Sequence, residues 1–201
     1  VFIELAEFLR CPLQHEGKTY CVLVPQRLEG RDVVAGIVAC PECRREFPIV
    51  AGVADLRHPD DAEAVPDPDV AGSSPPAEAV HALLGLEGPG GYVVLVGSAA
   101  RMVADLATLL EGVQFVLVNA PAGFPESAAS SVLLGGRLLP LRTSMARGVV
   151  VGGEHARAPW LAEGARLLLR GLRLVVLAEE VEVAGVEALA SGQGMWVGRR
   201  A

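Results

Sequence analysis

Residues 91–107, GYVVLVGSAARMVADLA, decide the fold. Tyr92–Val96 is an apolar, β-branched run of strand length, and Gly97-Ser98 breaks it. Met102, Val103, Leu106, Leu109 and Leu110 then recur at helical spacing, with Gly112 placed to stop the helix. Strand, tight turn and helix form the unit with which open α/β sheets hold a ligand at the carboxyl ends of their strands. This turn holds one glycine, Gly97, where a phosphate-binding G-x-G-x-x-G holds three, and the chain has no G-K-[ST].

The same rhythm continues outward. PPAEAVHALLGL (75–86) reads as a helix before the quoted strand, and VQFVLV (113–118) reads as a second strand ending at Asn119. GVVVGG (148–153) is a third buried run. PWLAEGARLLLRG (159–171) is a helix closed by Gly171, LRLVVLAE (172–179) a strand, and VEVAGVEAL with QGMWVGRR a final antiparallel pair. Strands alternating with helices predict a parallel sheet covered on both faces, an α/β fold over residues 75–201.

Charge and composition narrow the classes. The chain is 51% hydrophobic, yet no run reaches the roughly 18 uncharged apolar residues that span a bilayer. VFIELAEFLR lacks the basic start of a secretory signal, so a soluble, cytoplasmic protein away from membranes is expected. Residues 56–80 hold one arginine against six carboxylates, so −5 of the net −7 sits there. Such a chain has no general electrostatic attraction for nucleic acid. Arg44 and Arg45 read as a solvated pair beside a turn. The acidic, Pro-rich residues 57–74 read as a linker between a module at 1–56 and the α/β domain.

All four cysteines lie before that linker. Cys40-Pro-Glu-Cys43 is a C-x-x-C knuckle that can present two thiolates to one tetrahedral metal. Cys11-Pro-Leu-Gln-His15 offers a thiolate and an imidazole. With strands expected near 19–25 and 32–39 between them, the two knuckles describe a zinc ribbon with Cys11, His15, Cys40 and Cys43 as ligands. Cys21, inside the apolar run TYCVLV, is the rival fourth ligand and reads more simply as a packed thiol. An emptied ribbon and a redox C-x-x-C are the alternatives. The redox motif belongs at a strand-to-helix junction, whereas RREFPIV follows here and looks like a strand.

LRCP (9–12) and ACPECRREFPIVAGVADL (39–56) resemble the small zinc-ribbon proteins that activate methyltransferases of tRNA and release factors. Cys11, Cys40, Cys43, Arg45, Phe47, Pro48, Ile49 and Gly52 match that pattern, and Gln14 stands where it has a second cysteine. Residues 75–200 resemble the class I S-adenosylmethionine (SAM) methyltransferase fold. RLLPLRTSMARGVVVGGEH (137–155) looks like the approach to its fourth strand. AEGARLLLRGLRLVVLAE (162–179) looks like its E-x-x-R helix and fifth strand, with Glu163, Arg166, Leu168 and Gly171 matching in kind.

This second resemblance implies a SAM site at Gly97, Ser98, Ala99 and Asn119, and most of its chemistry is missing. The pattern of an acid followed by alternating glycines falls on Leu95, Gly97, Ala99 and Arg101. The acid for the ribose falls on Asn119, which cannot act as a doubly accepting anion. No carboxylate lies between Glu126 and Glu154 to meet the adenine amino group. Ser98 reads as an N-cap. Glu154 and His155 lie just past the fourth strand, where this fold places substrate and catalytic groups, and read more simply as a solvated loop; Trp160 and Trp196 read as core or domain-contact aromatics. Three functions follow. The first is a non-catalytic, degenerate methyltransferase-fold subunit with a protein partner. The second is an active SAM methyltransferase, and the third an adaptor whose ribbon activates a separate methyltransferase.

Overall fold

The computed structural model describes residues 1–13, 15, 20–58, 75–121 and 130–201, so most of the expected linker (59–74) lies outside the described residues. A 3-10 segment (Ile3–Phe8) leads into strands β1 (Val22–Glu29), β2 (Asp32–Ala39), β3 (Glu46–Val50) and β4 (Val53–Asp55). Helix α1 (Ala77–Leu84) precedes β5 (Tyr92–Val96), α2 (Val103–Leu109), β6 (Gln114–Val118) and β7 (Ser130–Leu134). Then come β8 (Ala146–Val151), α3 (Trp160–Leu167), β9 (Leu168–Val176) and the hairpin β10 (Val186–Gly192)–β11 (Met195–Arg200).

One sheet contains every strand among the described residues, in the order β1-β2-β3-β4-β7-β6-β5-β8-β9-β11-β10. Strands β7, β6, β5, β8 and β9 are mutually parallel, and β11 runs antiparallel to both its neighbours. Strands β1 to β4 form an antiparallel meander. Its last strand pairs in parallel with β7, in the register Val53↔Val132, Ala54↔Leu133 and Asp55↔Leu134. The cysteine-bearing module and the α/β part therefore share one continuous sheet.

The central strands are apolar at nearly every position because both faces are covered. Val93, Leu95, Phe115 and Leu117 pack beneath α1 and α2. Val94, Val96, Val116 and Val118 face the other way, toward Trp160, Leu161 and Ala165 of α3 and toward Leu5 and Leu9 of the N-terminal segment. That segment is tied to the stretch between β7 and β8. Leu9 bridges Leu141, the Arg10 N–H donates to Pro140 O (3.0 Å), and the Arg142 N–H donates to Phe8 O (2.8 Å).

The E-x-x-R pair of α3 grips the same stretch. The buried Glu163 carboxylate accepts from the Leu139 N–H (2.7 Å) and from Arg166 Nε (2.7 Å), while Arg166 donates to Leu141 O (2.8 Å) and Leu139 O (3.0 Å).

Three local expectations change. Helix α3 ends at Leu167, not at Gly171. Leu167 and Leu168 are both fully buried, so the chain turns directly into β9. Residues 169–172 bulge between Leu168, opposite Ala146, and Arg173, opposite Gly148, and Gly171 takes the left-handed φ of +77°. The helix after β5 begins with a 3-10 turn, Gly97–Met102, before α2. Strand β7 was not anticipated, because SSVLL carries too few apolar residues to announce a strand.

Leu9 is completely buried in the core shared with Trp160. Leu9→Ala should destabilise the protein by about 2–5 kcal/mol. The loss should appear as an earlier, single unfolding transition followed by tryptophan fluorescence. Two separated transitions would contradict a shared core.

Candidate cofactor cleft and metal centre

The sheet order reverses at β5, whose neighbours β6 and β8 leave in opposite directions, so the place where open α/β sheets hold a ligand lies beyond the carboxyl ends of β5 and β8. Gly97 follows β5 there with φ +64°, and Gly152-Gly153-Glu154-His155 follows β8. The two turns meet directly. Glu154 Oε1 accepts from the Ser98 backbone N–H (2.6 Å), and Oε2 accepts from the Ser98 hydroxyl (2.7 Å). His155 Nδ1 lies 3.1 Å from Glu154 Oε1, and its ring stands edge-on to Trp160 at 4.7 Å. A Cβ on Gly97 would overlap Glu154 Oε1 and His155 Nδ1. One on Gly152 would lie 2.7 Å from Glu154 Oε1. Glycine at both positions is what lets these side chains lie against the turn.

Neither Glu154 nor His155 is a solvated loop residue, contrary to expectation: their side chains are 7% and 0% exposed. Ser98 is not an N-cap either, since its hydroxyl is engaged by Glu154 and the 3-10 turn has no side-chain cap. Burial pushes the Glu154 carboxyl up. The hydrogen bonds from His155, the Ser98 hydroxyl and the Ser98 N–H outweigh it and hold the group at about 2. With Glu154 ionised, Nδ1 of His155 is the donor. Its buried Nε2 has no hydrogen-bond partner among the described residues.

The other two residues of the expected cofactor set point elsewhere. Ala99 is fully buried in the core beneath α2. Asn119, buried at φ +54°, donates from Nδ2 to Gly135 O (3.1 Å) and accepts at Oδ1 from the Gly135 N–H (2.9 Å). Gly97 and Ser98 thus meet Glu154, and Asn119 is turned toward the segment after β7. Glu154 was the member of the cleft that pattern alone undervalued. The signal available was its place after a glycine pair at the end of a predicted strand.

At the other end of the sheet, Cys11, His15, Cys40 and Cys43 converge, with their donor atoms all within 4.8 Å of one another. Cys11 Sγ lies 3.9 Å from Cys43 Sγ, and Cys40 Sγ lies 3.5 Å from His15 Nε2. Zinc–sulfur bonds of about 2.3 Å and zinc–nitrogen bonds of about 2.0 Å give tetrahedral edges of roughly 3.8 and 3.5 Å. The four residues could hold a metal ion of that size. Burial pushes Cys11 and Cys21 up to about 12. Burial also acts against the Cys40 thiolate, but the backbone N–H groups of Cys43 and Glu42 and the neighbouring thiols bring it to about 7. Cys21 is buried and lies outside the four-residue group.

A five-strand parallel run whose order reverses between β5 and β8, closed by a hairpin whose last strand inserts antiparallel, is a sheet of the class I methyltransferase type. No family model matches the chain, and no curated protein does. Among solved structures, the chain is similar to one in the complex between the Haloferax volcanii Trm112 methyltransferase activator and a methyltransferase. The two are 20% identical, with a TM-score of 0.40 over 50% of each chain. It is similar to geranyl diphosphate C-methyltransferase from Streptomyces coelicolor A3(2), at 11% identity and TM-score 0.49, over 62% of this chain and 78% of that one. A SAM-dependent methyltransferase from Aquifex aeolicus is 15% identical with TM-score 0.45, over 70% and 92%. The chain spans half the length of the first of these.

The depressed Glu154 carboxyl gives a stability contribution that is full above its ordinary value of 4.5 and is lost as pH falls through about 2. The gap in unfolding free energy between wild type and Glu154→Gln should therefore shrink by about 2 kcal/mol from pH 5 to pH 2. Urea unfolding at several pH values measures it, and a pH-independent gap would show that the carboxylate is not anchored.

Proposed function

We propose that this chain is a non-catalytic subunit with a methyltransferase-type fold, in which the cofactor turn is closed by the protein's own side chains and a zinc ribbon is built into the sheet. One observation carries the reading: Glu154, held by the N–H and hydroxyl of Ser98, lies against Gly97 at the carboxyl end of β5. The engagement of both polar atoms of Asn119 by Gly135 supports it. So does Leu95, fully buried in the core at the position where the resemblance calls for an acid. Residues 1–56 and 75–201 are read as two sequence modules that fold onto one sheet, and the partner as a protein. No helix among the described residues is long and apolar enough to cross a membrane.

Cys11, His15, Cys40 and Cys43 are read as a structural zinc site. With four protein donors the ion has no open position for a substrate, and it supplies cross-linking and no bond-making chemistry. The adaptor reading has less in its favour, because the last strand of the ribbon, β4, is already paired with β7 of the same chain. The outer strand β1 carries Pro25 and register shifts from Pro25 to Leu28, which blunt it as an edge.

Calorimetric titration of the zinc-loaded chain with SAM, and with S-adenosylhomocysteine, tests the reading. No binding is expected up to millimolar concentration, and micromolar affinity for either would overturn it. Zinc analysis should give one ion per chain, lost in the double variant Cys40→Ser, Cys43→Ser together with much of the resistance to thermal unfolding.

A further inference from the structure

We infer that Glu42, one of the two residues inside the Cys40–Cys43 knuckle, is the positioning residue for His15, presenting its carboxylate to Nδ1 while Nε2 is turned to the metal position. This rests on the reading of the four-residue group as a zinc site. The imidazole stands between two partners: its Nε2 is 3.5 Å from Cys40 Sγ, and its Nδ1 is 3.8 Å from Glu42 Oε1. The two ring nitrogens point to opposite sides, so a carboxylate at one leaves the other open to a metal.

The physical need is specific to histidine. A thiolate has no tautomers, and any of its lone pairs can meet the ion. A neutral imidazole carries its proton on one nitrogen, and which one is set by the hydrogen bond the other makes. A ligand nitrogen at Nε2 requires the proton on Nδ1, and metal-bound histidines commonly give that second N–H to a carboxylate. Here the neighbouring knuckle provides one.

Glu42 also serves the second ligand through its main chain, since its backbone N–H is a hydrogen-bond donor to the Cys40 thiolate. The knuckle is a tight turn in which the Arg44 N–H donates to Cys40 O (2.9 Å) and the Cys40 N–H donates to Arg45 O (2.9 Å). Glu42 is therefore fixed in its main chain while its side chain, 48% exposed, reaches toward the ring, which is only 11% exposed. The separation of 3.8 Å is longer than a direct hydrogen bond. A small movement of the Glu42 side chain toward the ring, which the proposal requires, would close it.

The test measures zinc affinity of the full chain by competition with a chromophoric chelator. Glu42→Ala should bind zinc 10- to 100-fold more weakly, and Glu42→Gln, which keeps an acceptor oxygen, should fall between it and wild type. In long-range 15N–1H spectra of the zinc-loaded wild type, His15 should show a protonated Nδ1 and a metal-bound Nε2. The metal-free protein should lose its preference for that tautomer in Glu42→Ala. The cobalt spectra of wild type and Glu42→Ala should coincide, because Glu42 is not itself a ligand. Unchanged zinc affinity in Glu42→Ala, with affinity lost in His15→Ala, would overturn the role of Glu42 alone. His15→Ala binding zinc as tightly as wild type would overturn both this inference and the ligand set beneath it.

Discussion

Three backbone pairings, Val53↔Val132, Ala54↔Leu133 and Asp55↔Leu134, hold this architecture together. Parallel pairs are found where both faces of a sheet are covered, and here Ala54 and Leu133 are completely buried. The junction turns a four-strand meander and a doubly wound sheet into one surface. The N-terminal segment can then lie across the same face as α3, with Leu5 and Leu9 in one core with Val116, Val118 and Trp160. In this arrangement a metal bound by the cysteine module would stabilise the whole sheet and not only its own 50 or so residues, because anything that binds the folded state alone shifts the full equilibrium.

At the opposite end of the chain's chemistry, a carboxylate of the protein sits where the turn after β5 would otherwise face a ligand. Two of the donors that approach it, the backbone N–H and the hydroxyl of Ser98, belong to the turn itself, and the third is Nδ1 of His155. The glycines have an internal reason to be there, since Gly97 and Gly152 leave room for Glu154 and His155. A glycine at such a turn therefore does not by itself point to a cofactor. It points to something lying close against backbone, and in this cleft that something is covalently part of the chain.

Much of the α/β part was legible because buried parallel strands are nearly continuous apolar runs. Tyr92–Val96, Val113–Val118 and Gly148–Val151 could be placed from composition alone, and Gly112 marked a helix end. The knuckles were legible from spacing, and His15 as a ligand candidate from its place beside Gln14. What stayed hidden was pairing. Nothing in VAD or SSVLL states that two short strands far apart in sequence are neighbours, because main-chain hydrogen bonds carry no side-chain signature. The end of α3 was misplaced for a related reason: leucines 167–169 fit a helix or a strand equally well, and burial of Leu168 opposite Ala146 decided it. Glu154 was undervalued because glutamate after a glycine pair is normally surface, and only the approach of Ser98 makes it otherwise.

The junction between β4 and β7 joins residues about 80 positions apart. During synthesis the meander leaves the ribosome with its last strand paired to β3 but still lacking its second neighbour. At roughly 5–20 residues per second, several seconds pass before β7 follows. Over that interval the early module has little core of its own and an open strand edge, the features that favour mispairing with other chains. Cys11, His15, Cys40 and Cys43, the residues that could hold a metal, are all synthesised before β5 to β11. The order of the modules along the chain thus places the element that can be held by an ion first, and the element that must wait for its partners second.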